Sequence, residues 1–128
     1  MKTLELTLEP WALAVCRLEA AAAVPAWAAS GAFHAGVRTP LELSIVCDED
    51  AVPAGVRAEK GWRCFSLAGP IPFETTGVLA ALANPLAEAG VGIFVISTFD
   101  TDYLLVADRN RDAARRALEA AGHRVGER

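Results

Sequence analysis

The stretch Ile93-Phe-Val-Ile-Ser-Thr-Phe-Asp-Thr-Asp-Tyr-Leu-Leu-Val-Ala107 decides the fold. Ile93 to Phe99 is mostly apolar and β-branched, the pattern of a central strand buried on both faces. A second β run, Tyr103 to Ala107, follows after only Asp100, Thr101 and Asp102. Two strands so close pair antiparallel, because a parallel pair needs a crossover of a dozen or more residues.

Elements on either side complete the unit. Upstream, Arg63 to Leu67 reads as a strand, and Gly69-Pro70 with Pro72 makes a stiff loop. Thr75 or Thr76 is the expected N-cap of a helix. Val78, Leu79, Leu82 and Leu86 recur at helical spacing and should face a sheet. Pro85 removes one helical hydrogen bond and should kink the helix or split off its last turn. Gly90 is a C-terminal stop. Downstream, Asn110 is the expected cap of a helix from Arg111 to Ala121, with Ala114, Ala117, Leu118 and Ala121 as its inner stripe. Gly122 ends it, and His123 to Val125 reads as a short edge strand. The order from Cys64 to Val125 is β-α-β-β-α-β, the split βαβ or ferredoxin-like pattern of an α+β fold.

The first half has strands at similar spacing but no full helix. Leu4 to Leu8 alternates apolar and polar, Trp11 to Leu18 is β-leaning, Phe33 to Val37 is a short β run, and Leu41 to Cys47 reads firmly as a strand. Pro25 to Gly31 suits a short helical turn, and Asp48 to Asp50 begins a polar or helical turn. Val56 to Gly61 reads as a connection, where a boundary would fall. The half is a degenerate copy of the second, its helices shrunk to single turns.

Composition excludes several classes. Of 128 residues, 53% are hydrophobic, enough for a packed core, and net charge is −4. Each half carries eight acids and six bases, so no basic face invites nucleic acid. Glu5 and Glu9 stand where a signal peptide would need a basic start, and no apolar run reaches the roughly 20 residues of a spanning helix. A membrane partner is not expected. Cys16, Cys47 and Cys64 are odd in number and widely spaced, which fits reduced thiols in a cytoplasmic protein. His34 and His123 stand alone, the latter expected at the surface, so neither a zinc-like spacing nor an acid–base pair is present. Ser44 and Ser97 lack a nucleophile elbow. Trp11, Trp27 and Trp62 read as core or dimer-contact aromatics. No catalytic residue, metal ligand or cofactor is expected.

Two segments carry the functional reading: Gly69-Pro-Ile-Pro-Phe-Glu-Thr-Thr-Gly77, a loop opening a helix, and Ser97-Thr-Phe-Asp-Thr-Asp102, a strand end entering a tight turn. In a βαββαβ unit both lie at one end of the sheet. Helix-start N–H groups suit an anion, and a carboxylate suits a cation. Together they suit a zwitterion such as a free amino acid. The plain alternative is that Pro70, Pro72 and Gly77 only shape a connection, and that Asp102 bonds its own turn.

The run from Gly69 to Gly77 and the run Ile96-Ser-Thr-Phe-Asp-Thr-Asp-Tyr-Leu-Leu-Val106 resemble the ACT-domain family. More narrowly, they and Leu43-Ser-Ile-Val-Cys47 are similar to small bacterial tandem-ACT proteins related to the ACT repeats of animal cytosolic arginine sensors. The resemblance implies two tandem units, residues 1–61 degenerate and residues 62–128 a full ACT domain. It implies regulation or sensing through a bound amino acid, without catalysis, at a site of Glu74, Thr75, Thr76, Gly77, Val78, Thr98 and Asp102. The chain departs from the arginine sensors at Thr75, where they carry an acid and this sequence has Glu74 one place earlier, so ligand identity stays open. A homodimer is expected. The competing readings are an oligomerisation module without ligand and a small cytosolic enzyme.

Overall fold

The computed structural model describes residues 3–72 and 75–128. Its strands are β1 (Glu5–Leu8), β2 (Leu13–Leu18), β3 (Ala35–Arg38), β4 (Leu43–Asp48), β5 (Arg57–Leu67), β6 (Phe94–Ser97), β7 (Asp102–Ala107) and β8 (Arg124–Glu127). Its helices are α1 (Val78–Glu88) and α2 (Arg111–Ala120). The chain divides into two compact units. One is Trp11–Trp62, and the other joins residues 3–10 to Arg63–Arg128. The first strand thus belongs with the C-terminal elements and not with its sequence neighbours.

In the C-terminal unit the strands lie in the order β6–β7–β5–β1–β8. This is the ferredoxin-like order with one strand added. β1 slips between β5 and β8, antiparallel to the first and parallel to the second. Flanking bonds extend both ladders: Ala68 N–H donates to the Glu5 carbonyl at 2.9 Å, and Arg124 N–H to the Leu4 carbonyl at 2.9 Å. The period-two alternation of Leu4, Leu6 and Leu8 places all three in the core with Phe65, Leu67, Leu104, Val106 and Val125. Leu82 and Leu86 of α1 and Ala114 and Leu118 of α2 close that core from the helix side. Each such leucine contributes about 1.5–3 kcal/mol by burial.

Several expectations need correcting. β6 is an edge strand, paired to β7 alone, and its residues are only half-buried. An unbroken apolar run has the same look on an edge as in the centre, since periodicity records burial and not neighbours. Leu79 turns outward and is 41% exposed. Neither Thr75 nor Thr76 caps α1: its N-cap is Gly77, at φ 77°, with no side-chain cap bond. Asn110 does precede α2 but makes no side-chain cap bond either.

Pro85 neither stops nor splits α1, which runs on to Glu88. The reason involves His123, expected at the surface but in fact buried, at 4% exposure. A proline at position 85 leaves the Ala81 carbonyl without its usual helical donor. His123 Nε2 sits 3.0 Å from that carbonyl oxygen. On its other side, Nδ1 accepts the Leu4 N–H at 3.1 Å. With Nδ1 accepting, Nε2 is the nitrogen left to donate to the carbonyl. One imidazole therefore mends α1 and pins β1.

The N-terminal unit has strand order β3–β4–β2–β5, all neighbours antiparallel. Along the chain it runs strand, 3₁₀ turn, two strands, 3₁₀ turn, strand, with the turns at Ala26–Ala29 and Glu49–Ala51. The order matches the C-terminal unit, with single turns where helices stand there. Its smaller core gathers Ala14, Cys16, Ala28, Leu43, Ile45, Cys47 and Val52. Trp27 packs against it, and Trp11 stacks on Phe33 with ring centroids 5.5 Å apart. The expected connection at Val56 to Gly61 is strand from Arg57 onward. Its charged side chains made it look like loop, but the β2 ladder needs only its backbone. The register slips between Leu13 and Val15, where Gly61 adopts φ 81°, a bulge geometry that glycine supplies.

Glu9 is 2% exposed and carries a charge. Arg128 Nε donates to both its oxygens, at 2.9 and 2.7 Å, and the Ser66 hydroxyl donates at 3.0 Å. The Arg128 bond, chiefly, holds the Glu9 carboxyl below the usual carboxylate range, against the opposing effect of burial.

Two tests follow from these contacts. His123→Ala should cost about 2–4 kcal/mol, because it orphans a buried N–H and a buried carbonyl. In a Pro85→Ala background the restored N–H can reach Ala81, so the cost of His123→Ala should fall by about 1 kcal/mol. Urea unfolding of the four proteins in that cycle reads the coupling. For Glu9, the depressed folded pKa stabilises the protein fully above the unfolded value, about 4.3, and that stability is lost as pH falls through the folded pKa. Glu9→Gln should therefore be less stable than the parent near neutrality and should lose less on acidification, as measured by denaturant midpoints across the acid range.

Candidate functional site

At one end of the C-terminal unit the β6–β7 turn is clasped to the loop that follows β5. Ile71 N–H donates to the Asp100 carbonyl at 2.7 Å, and the Thr101 hydroxyl donates to the Leu67 carbonyl at 3.0 Å. Gly69 makes the approach possible: a Cβ there would lie 3.0 Å from Thr101 Cβ and 3.2 Å from the Asp100 carbonyl oxygen. The turn itself is closed by Thr98. Its N–H donates to the Thr101 carbonyl at 2.8 Å, and its hydroxyl accepts the Thr101 N–H at 3.3 Å.

Between this turn and the start of α1 lies a cleft of about 310 Å³. Of the residues singled out in the sequence, Thr75, Gly77, Val78, Thr98 and Asp102 line it. Thr76 does not, and Glu74 lies outside the described residues. Ile71, Pro72, Ser97, Phe99 and Thr101, which lie in the two quoted segments but were not named as site residues, line it too, as do Leu79 and Ala80 of α1. Phe99 is 81% exposed at the turn tip, and a phenylalanine in a tight polar turn was the signal that could have found it.

Asp102 is the one charged side chain among the described lining residues. It begins β7 opposite Ser97, whose hydroxyl donates to its Oδ1 at 2.5 Å. A carboxylate has about four acceptor positions, so that bond leaves capacity for a ligand cation. Opposite, the first N–H groups of α1 have no partner within the helix, and the helix dipole makes that end partially positive. Gly77 has open space where a Cβ would stand, so the backbone there is approachable. The cleft thus offers a negative wall, a partially positive wall and an exposed aromatic ring.

Other chemistry-bearing residues are placed for structure. Burial first of all pushes the Cys16 thiol up to about 11 and the Cys64 thiol up to about 12, and it raises Cys47 as well. All three are free and buried. His123 has both nitrogens occupied by backbone groups. Among the described residues, no three His, Cys, Asp or Glu side chains gather to hold a metal ion, and no helix is long and apolar enough to cross a membrane.

Comparison with known proteins bears directly on this unit. A family model described as the ACT domain matches residues 57–120, half of the chain. The chain belongs to the ACT-domain family. A second model, of an N-terminal domain, matches residues 12–55. A solved structure from Agobacterium tumefaciens is 40% identical, covers 100% of this chain and 96% of its own, and superposes with a TM-score of 0.94. One from Vibrio cholerae, described as a possible transport protein of unknown function, is 22% identical with a TM-score of 0.77 over 93% of this chain and 90% of its own. The regulatory subunit of aspartate kinase from Thermus thermophilus shares the fold at 16% identity and a TM-score of 0.59, covering 88% and 93%. Among curated proteins, the human cytosolic arginine sensor for mTORC1 subunit 1 is 40% identical over 48 residues, 37% of this chain and only 15% of the sensor. The ferredoxin-like ACT architecture expected from the sequence is the one found.

Proposed function

We propose that this ACT protein is a regulatory or sensor module that binds a free amino acid in the cleft between α1 and the β6–β7 turn, without catalysis. The observation that carries the reading is the placement of Asp102 across that cleft from the α1 start. A ligand carboxylate would face the helix-start N–H groups, and its ammonium would face Asp102, with Thr98 beside it. Phe99 and Leu79 would cover an apolar portion of the side chain. The likeness to proteins named as an arginine sensor and as an aspartate kinase regulatory subunit supports an amino acid as the ligand class. The protein would work in the cytoplasm, as a homodimer whose half-buried β6 edge is available for pairing.

Asp102→Asn keeps the shape of the cleft and removes its charge. A charge-assisted hydrogen bond is worth about 1.5–3 kcal/mol, so binding should weaken about tenfold or more. Asp100→Asn should matter less, because the Asp100 backbone carbonyl, not its side chain, makes the clasp with Ile71. A thermal-shift panel of free amino acids identifies the ligand, and calorimetric titration of both variants reads the two losses. Equal losses, or none at Asp102, would contradict the assignment.

A further inference from the structure

A second cleft, of about 370 Å³, opens on the β1–β8 side of the same unit. Its apolar walls include Leu4, Pro70, Ile71 and Val78. Thr3, Ala68, Pro72 and Thr75 line it as well, together with two charged residues, Glu5 and Arg124. Those two are register partners across the parallel β1–β8 ladder. Arg124 Nη1 lies 3.3 Å from Glu5 Oε1, with the side chains 77% and 63% exposed.

We propose that this cleft is a separate binding site for a small zwitterion with an apolar body. An ion pair so exposed is held weakly, because water competes for both partners. A ligand carrying a carboxylate and an ammonium can replace each partner of the pair with its own opposite charge. The guanidinium takes the carboxylate through two parallel N–H donors, and Glu5 takes the ammonium. The ligand's apolar body then displaces water from Pro70, Ile71 and Val78, a gain that neither ion offers the other. The room, enough for on the order of ten waters, suits a molecule of amino-acid size. The amino-acid cleft proposed above lacks any cationic side chain among its described lining, so the two sites grip a carboxylate by different means. They share Ile71, Pro72, Thr75 and Val78, while Leu4, Glu5, Ala68 and Arg124 belong to this one alone.

The test uses the full chain, with L-leucine as the probe and its two half-charged relatives, 4-methylpentanoate and 3-methylbutylamine, as controls. Backbone amide resonances are followed during titration. L-Leucine should shift the amides of Leu4, Glu5, Ala68 and Arg124, and both controls should bind about tenfold or more weakly. Arg124→Gln and Glu5→Gln should each weaken leucine binding at these amides by about tenfold. Both substituted side chains are exposed, and an unchanged melting temperature shows that the fold is intact. The proposal is overturned if leucine leaves these four amides unmoved, if 4-methylpentanoate binds as well as leucine, or if the two variants bind like the parent. Shifts confined to Ser97 to Asp102 would overturn it while leaving the amino-acid cleft standing.

Discussion

The C-terminal unit depends on one strand from the other end of the chain. β1 lies between β5 and β8, so without it two ladders would lose their partner at once. Three leucines of its alternation would leave the core. The cost of inserting it is loop-closure entropy over nearly the whole chain, and that cost grows only logarithmically with loop length. Two polar clamps then fix its ends. His123 accepts the Leu4 N–H at one end, and Glu9 takes Arg128 and Ser66 at the other. Each clamp has a buried member, His123 and Glu9, that is costly to leave unpaired.

The same insertion shapes the functional end of the unit. β1 meets the end of β5, from which the 69–72 loop departs toward α1. Ala68 N–H is held to Glu5, Ile71 N–H to Asp100 and the Thr101 hydroxyl to Leu67, so loop, β1 and the β6–β7 turn are tied together by two main-chain bonds and one side-chain bond. A cleft bordered on two sides by such bonds is largely preformed, which lowers the ordering cost of binding. Much of the lining of that cleft is side chain carried on this fixed backbone. Substitution at Thr75 or Phe99 would therefore alter the proposed cleft without changing the frame, whereas the Thr98 hydroxyl is part of the turn.

Much of this was legible in the sequence. The β-α-β-β-α-β order is local information, written in the close pairing of Ile93 to Ala107, the helical spacing of Leu82 and Leu86, and the glycine stops. The missing information was of long range. Nothing near Leu4 says that it pairs with residue 124, or that a histidine 119 positions away accepts its N–H. The burial of His123 follows from the Pro85 gap in α1, a relation visible only when both are placed. Arg57 to Gly61 was misread because a charged face carries no apolar alternation. β6 was misread as central because an apolar run does not say who its neighbours are. At the candidate site, Asp102 stands out by its place at the start of a strand and Thr98 only through the family resemblance, whereas Leu79 reads as core because helical spacing alone does not fix which residue ends the stripe.

The account stands most directly on where a ligand sits. A crystal structure of the protein grown with the amino acid that most raises its melting temperature would answer this. Density is expected in the cleft between Gly77 and Thr98, with the ligand carboxylate on the α1 N–H groups and its ammonium within hydrogen-bond distance of Asp102. Density lodged away from α1 and Asp102, or a cleft left to solvent while the protein is saturated, would contradict it.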